Sequence, residues 1–80
     1  MKFLRNEYSN DEYMTLSGAK RYLVPSEEEI EEIKGTDYES DYMEWVDDLK
    51  SAETLEELAE VLNSRTDDYG NGSEYTVRCI

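Results

Sequence analysis

Apolar residues recur at helical spacing through the middle of the chain. The longest stripe follows i, i+4, i+7, i+8 and i+11, which places its members on one helix face: Tyr38, Tyr42, Trp45, Val46 and Leu49. A later stripe follows i, i+3, i+4 and i+7 and consists of Leu55, Leu58, Ala59 and Leu62. Ile30 and Ile33 form a shorter stripe before them. These patterns predict three consecutive helices with buried apolar faces.

A hydroxyl residue followed three positions later by glutamate marks the start of each predicted helix. The pairs are Ser26 with Glu29, Thr36 with Glu39, and Thr54 with Glu57. This spacing is typical of a capping box, in which the hydroxyl accepts a hydrogen bond from the third following N–H. Gly35 is predicted to end the first helix in the left-handed conformation. The second helix is predicted to run from the Thr36 box to about Leu49.

The two ends of the chain have a different pattern, which favours strands. Lys2 to Arg5 is predicted as a first strand, and Glu12 to Leu16 partly alternates. Glu74 to Ile80 alternates fully and follows a turn-rich stretch, Asp67 to Ser73, that contains an Asn-Gly pair. We therefore expect the C-terminal strand to pair with an N-terminal strand.

One segment allows two interpretations. Ala19 to Val24 fits either a third strand or a short helix that is capped by Ser17 and ends before Pro25. The Ser17-Gly18 pair is expected to break the chain before it. In either case the prediction is a single α+β domain over residues 1–80: a small antiparallel sheet from the N- and C-terminal segments, with three consecutive helices packed on one face.

Charge is concentrated in the helical segment. The chain has 80 residues and a net charge of −13, and the stretch from Ser26 to Glu60 carries fifteen acidic and two basic residues. The first 25 residues have a net charge of +1 and the last 20 a net charge of −1. A near-neutral, β-rich segment (1–25) and a terminal strand (74–80) thus flank an acidic segment (26–64). Such a field costs stability through self-repulsion, so folding alone does not account for it.

Several functional classes lack their required residues. The chain has no histidine, and Cys79 is its only cysteine, so we expect no catalytic residue, no metal site and no cofactor. No apolar run is long enough for a signal peptide or a membrane span. We expect a non-enzymatic cytoplasmic protein, either monomer or homodimer, that binds neither nucleic acid nor membranes directly.

The acidic helix faces are the candidate binding site. We use the name acidic surface for the carboxylates that lie away from the apolar stripes: Glu27, Glu28, Glu31, Glu32, Asp41, Glu44, Asp47, Asp48, Glu53, Glu56, Glu57 and Glu60. Tyr13 and Tyr69 lie in polar stretches and are predicted aromatic anchors for a partner, with simple packing as the alternative. The alternative for the carboxylates is an ordinary solvated surface. Helix faces usually mix signs, however, because opposite charges at i, i+4 stabilise a helix.

Two resemblances accompany these features. The segment Met14-Thr15-Leu16-Ser17-Gly18-Ala19-Lys20-Arg21-Tyr22-Leu23-Val24-Pro25-Ser26, followed by Ile30, resembles the helix-turn-helix of excisionase-type DNA-binding domains. In that family the second helix enters the major groove. Here that helix reads Glu27-Glu28-Glu29-Ile30-Glu31-Glu32, which phosphates would repel, so the resemblance does not imply DNA binding.

The second resemblance is compositional. A short chain with acidic helices, exposed aromatic residues and no catalytic groups is similar to small acidic phage-encoded counter-defence proteins, the anti-CRISPR and DNA-mimic class. That resemblance implies an inhibitor that occupies the basic DNA or RNA site of a partner, such as a CRISPR effector or another defence complex. The alternative is a regulatory, adaptor or antitoxin-like interaction module whose acidity serves solubility.

Overall fold

The computed structural model describes residues 1–64 and 74–80, which form an α+β fold with a three-stranded antiparallel sheet and four helices. The elements in chain order are β1 (Lys2–Asn6), β2 (Glu12–Tyr13), α1 (Leu16–Leu23), α2 (Glu27–Ile33), α3 (Glu39–Ser51), α4 (Leu55–Ser64) and β3 (Tyr75–Cys79). The predicted fold class is confirmed. The predicted turn at 67–73, with Tyr69, lies outside the described residues.

The sheet joins the two ends of the chain, as predicted. Its order is β2-β1-β3, and Leu4 on the central strand lies opposite both Tyr13 and Val77. Leu4 is completely buried, while Tyr13 and Val77 pack partly buried against the same core. These three side chains therefore belong to the sheet face that is covered by helices.

The core lies between this sheet face and α4. Leu58 and Leu62 of α4 are buried in one cluster with Leu4 and with Leu49 of α3. The helices then continue outward, because α4 contacts the sheet, α3 contacts α4, and α2 contacts α3. The molecule is accordingly elongated, with extents of 43 × 22 × 18 Å. Ile30 and Ile33 of α2 are half-buried at the far end of this series, so the buried stripe predicted there is only partly buried.

The ambiguous segment before Pro25 is a helix. It begins earlier than predicted, because Thr15 rather than Ser17 is its N-cap: the Thr15 hydroxyl accepts a hydrogen bond from the Gly18 N–H at 3.0 Å. Gly18 therefore lies in the first turn of α1 and does not break the chain. A Cβ atom at Gly18 would lie 2.8 Å from the Thr15 hydroxyl oxygen, so glycine makes room for this cap.

In two of the three predicted capping boxes, the hydroxyl residue makes the predicted hydrogen bond to the backbone. Ser26 accepts from the Glu29 N–H, and Thr54 accepts from the Glu57 N–H at 3.1 Å. Gly35 has φ of +83°, which confirms the predicted left-handed end of α2.

The prediction of a capping box at Thr36 is wrong. The Thr36 hydroxyl donates to the Ile33 carbonyl at 2.6 Å, so it satisfies the end of α2 instead of the start of α3. The N-cap of α3 is Tyr38, which makes no side-chain capping bond. Tyr38 thus lies at the helix terminus and is 64% exposed, contrary to its predicted place in the apolar stripe.

A contact that the sequence pattern did not predict joins α1 to α3. The Lys20 ammonium donates hydrogen bonds to the Lys50 and Ala52 carbonyls at the C-terminal end of α3, the first at 2.7 Å. The last carbonyls of a helix lack partners within the helix, and the helix dipole favours a positive charge there. Lys20 therefore caps α3 from a neighbouring element and draws α1 towards it.

The other face of the sheet carries a polar network around Glu7. Its carboxylate accepts hydrogen bonds from the Thr76 hydroxyl and from Arg78 Nε, the latter at 2.9 Å, and Arg5 lies nearby at 3.6 Å. The Thr76 and Arg78 hydrogen bonds lower the pKa of Glu7 below its ordinary value of 4.5. This network joins the start of the chain to its last strand.

Glu7→Gln is expected to lower the melting temperature near pH 7 and to lower it less at about pH 3. A carboxylate whose pKa is lowered on folding stabilises the protein above its unfolded pKa, and that stabilisation is lost as pH falls through the folded pKa. Melting curves of both proteins from about pH 3 to about pH 7 measure this. Glu74→Gln, an exposed carboxylate next to β3, is the control. A gap between Glu7→Gln and the parent that is equally large at both ends of the range would contradict the assignment.

Candidate functional site

The carboxylates of the acidic surface are all exposed on α2, α3, α4 and the Glu53 position before α4. Five of the seven basic residues in the described part of the chain belong instead to the sheet and to α1: Lys2, Arg5, Lys20, Arg21 and Arg78. The other two, Lys34 and Lys50, lie at the end of α2 and on α3. The charge is therefore divided by element: α2, α3 and α4 are acidic, whereas the sheet and α1 are mixed.

A groove between α3 and α4 brings together carboxylates from two consecutive helices. It has a volume of about 390 Å³ and is lined by Asp48, Ser51, Ala52, Glu57, Glu60, Val61 and Ser64. Asp48 comes from α3, while Glu57 and Glu60 come from α4. The sequence predicted these residues on two separate helices. It did not show that their acidic faces line one groove, because the way two helices cross depends on tertiary packing.

Part of the acidic surface has contacts within the fold. Glu56 pairs with Lys2 and thereby joins α4 to β1, and Glu31 pairs with Lys34 at 2.7 Å. Hydrogen bonding raises the pKa of each lysine and, at the first pair, lowers the pKa of Glu56. The Glu57 carboxylate accepts a hydrogen bond from the Glu53 N–H at 2.8 Å, just before α4.

The rest of the acidic surface has no such neutralisation in the described part of the chain. Within residues 1–64 and 74–80, ion pairs involve four carboxylates, those of Glu7, Glu12, Glu31 and Glu56. Asp48 and Glu60 of the groove are in none of them. The groove is therefore a concave, negatively charged surface between two packed helices.

Tyr13, one of the two predicted aromatic anchors, is not among the described residues that line this groove. Tyr13 lies on β2, half-buried against the core and beside Tyr22 of α1, and burial raises its pKa. Tyr69 lies outside the described residues. Tyr22, which the sequence pattern did not indicate as a site residue, lies on α1 and is 75% exposed.

Thermal stability is expected to rise as NaCl goes from low to moderate concentration. Salt screens repulsion among exposed carboxylates, and in a domain of this size each 1 kcal/mol of relief raises the melting temperature by roughly 4–8 °C. Melting curves in an NaCl series measure it, with a sucrose series of equal osmolality as the control. A flat or falling melting temperature in NaCl would show that the carboxylates are neutralised in the fold.

Membrane-spanning helices and metal-binding clusters are both absent from the described residues. No helix among them is both long and apolar enough to cross a bilayer. No group of three or more histidine, cysteine, aspartate or glutamate residues in residues 1–64 and 74–80 is arranged to hold a metal ion.

Comparisons with protein-family models, with curated proteins and with solved structures find no match to this chain. Its fold is therefore described by its own elements, as an α+β domain with a small sheet and outward-stacked acidic helices. Its charges, contacts and grooves are therefore the features that bear on its function.

Proposed function

We propose that this protein binds the basic DNA or RNA site of a nucleic-acid-binding partner and inhibits it by occupying that site. The observation that carries the proposal is the convergence of Asp48, Glu57 and Glu60 in one groove, within a larger surface whose carboxylates mostly form no ion pair among residues 1–64 and 74–80. A rigid field of one sign steers a partner of the opposite sign and raises the association rate.

Charge density supports nucleic acid as the ligand that is replaced. α2 (Glu27–Ile33) contains five acidic residues, and its seven residues of helix extend for about 10 Å. That is about one charge per 2 Å, while DNA carries one per ≈ 3.4 Å along each strand and one per ≈ 1.7 Å over both strands. A partner that holds phosphates with lysine and arginine would thus meet a similar spacing of negative charge on this protein.

The groove is suited to receive such a side chain. Its carboxylates flank the apolar side chains of Ala52 and Val61, which line the same groove. Lysine and arginine have aliphatic stems that cover apolar surface while their charged ends bind carboxylates. The groove therefore supplies short-range contacts in addition to the long-range field.

The resemblance to counter-defence proteins makes a CRISPR effector, or another defence complex, the first partner to test. In such a complex the acidic surface would compete with the nucleic acid for the same lysine and arginine side chains. The protein itself would have no catalytic part in the inhibition.

The proposal is tested by capture followed by competition. The immobilised protein is incubated with cell lysate at low salt, and bound proteins are eluted first with excess duplex DNA or RNA and then with NaCl. We expect a nucleic-acid-binding protein to be displaced by the nucleic acid and, in purified form, to lose its own DNA or RNA binding when this protein is added. A captured protein that keeps its nucleic acid in the presence of saturating inhibitor would favour the adaptor alternative.

A further inference from the structure

A second groove, between β2 and α1, combines aromatic rings with carboxylates. It has a volume of about 400 Å³ and is lined by Asp11, Glu12, Tyr13 and Tyr22. The ring centroids of Tyr13 and Tyr22 are 6.1 Å apart, and the ring planes are tilted by 41°. Rings tilted in this way do not stack face to face, so neither ring fully covers the other.

The two rings differ in how firmly they are held. Tyr13 is half-buried and packs against the core, so it forms a fixed wall of the groove. Tyr22 is 75% exposed and forms the outer wall. Because most of the Tyr22 ring remains in water, core packing does not account for an aromatic residue at this position.

The charge of the groove is also only partly neutralised. Glu12 accepts a hydrogen bond from Arg5 at 2.9 Å, and that arginine also binds Asn10. Asp11 accepts from the Ser9 hydroxyl at 2.9 Å and takes part in no ion pair within residues 1–64 and 74–80. A carboxylate has about four acceptor positions, so Asp11 keeps capacity for a further donor.

The pKa of the Tyr13 phenol is raised in this partly buried, acidic groove. Burial is the main cause of its raised pKa, and electrostatic repulsion from Asp11 and from the phenolic groups of Tyr75 and Tyr22 raises the pKa further. The phenol therefore stays neutral at physiological pH and does not itself pair with a cation. Its ring face and the Asp11 carboxylate are the groups that could do so.

We propose that this groove binds the guanidinium group of an arginine side chain from a partner, against the rings of Tyr13 and Tyr22 and beside the Asp11 carboxylate. Guanidinium is planar, stacks on aromatic faces and donates several hydrogen bonds to a carboxylate, whereas an ammonium acts as a compact, strongly hydrated charge. The site lies on other elements than the acidic surface, and it does not depend on the function proposed above.

The test is an NMR titration of the 15N-labelled 80-residue protein with N-acetyl-arginine amide. N-acetyl-lysine amide tests the choice of cation, and N-acetyl-citrulline amide is a neutral control of nearly the same shape. We expect the arginine probe to shift the resonances of Asp11, Tyr13 and Tyr22 and to bind at least about fivefold more tightly than the other two. Equal binding of citrulline, or tighter binding of lysine, would overturn the proposal.

Variants then assign the contact to the groove. Tyr22→Ala is expected to weaken arginine binding about fivefold, while Tyr22→Phe, which keeps a ring, retains it. Asp11→Asn should also weaken binding, because it removes the charge that faces the guanidinium. Tyr8→Ala removes a ring that is 67% exposed and outside the groove, so it serves as the matched control. Unchanged titration of Tyr22→Ala, or shifts confined to the α3–α4 groove, would rule out this site.

Discussion

Leu58→Ala is expected to lower the free energy of unfolding by about 3–5 kcal/mol. Leu58 is completely buried, and it lies in the cluster where α4 meets both Leu4 of the sheet and Leu49 of α3. Truncation removes contacts with two neighbouring layers and leaves a cavity that the backbone can only partly close. Since small domains have a total stability of about 5–15 kcal/mol, this single change removes a large part of it.

Urea unfolding of the parent and the variant measures this effect through the midpoint at constant slope. Leu55→Ala, at a half-buried position of the same helix, is the matched control and should cost clearly less. Leu58→Met, which conserves volume, should cost less than about 1.5 kcal/mol and provides a folded variant if the alanine protein does not fold. If Leu58→Ala costs no more than Leu55→Ala, the described core is wrong.

Reversal of Asp48 and Glu60 is expected to abolish most of the binding to a basic partner. Asp48→Lys and Glu60→Lys, combined, replace two groove carboxylates by cations that would face the lysine and arginine side chains of the partner. Like charges in a contact cost several kcal/mol, so we expect a loss of at least about 2 kcal/mol, roughly thirtyfold in Kd. Part of the loss should be in the association rate and should shrink at high salt.

The structure decides which carboxylates are suitable for this test. Reversal of Glu56 would place a lysine beside Lys2, and reversal of Glu57 would remove the acceptor of the Glu53 N–H, so both would disturb the fold. Asp48 and Glu60 have no such role in the described residues. Glu74→Lys changes the net charge as much as either single reversal and lies next to the sheet, so it is the matched control.

The affinity of each variant for the captured partner is measured at two salt concentrations, with circular dichroism to verify folding. Equal losses for Glu60→Lys and Glu74→Lys would mean that only net charge matters. Equal affinity of the double variant and the parent would mean that the groove takes no part in binding.

Sequence reasoning was most successful where local pattern and burial agree. The stripe of Leu58, Ala59 and Leu62 is buried as predicted, because a helix that packs against a sheet needs one apolar face. The pairing of the two chain ends also followed from alternation, since a terminal strand needs a partner and the N-terminal segment offered one.

It failed where a group had a choice of partners. Thr36 has the spacing of a cap, but its hydroxyl binds the nearby Ile33 carbonyl at the end of α2. Lys20 has no local signature, and its role at the end of α3 depends on a contact thirty residues away. The α3–α4 groove could not be predicted for the same reason, because its carboxylates meet only through the tertiary packing of two helices.

The central position of β1 has a consequence for the order of folding. Its neighbour β2 is close in the chain, but its other neighbour, β3, is some seventy residues away. Closing so long a loop costs conformational entropy before any strand contact repays it, whereas helices and hairpins form from local contacts. We therefore expect the stacked helices to assemble first and to bring the two ends of the chain together. The acidic helices, despite their mutual repulsion, would then form before β3 pairs with β1 and completes the sheet.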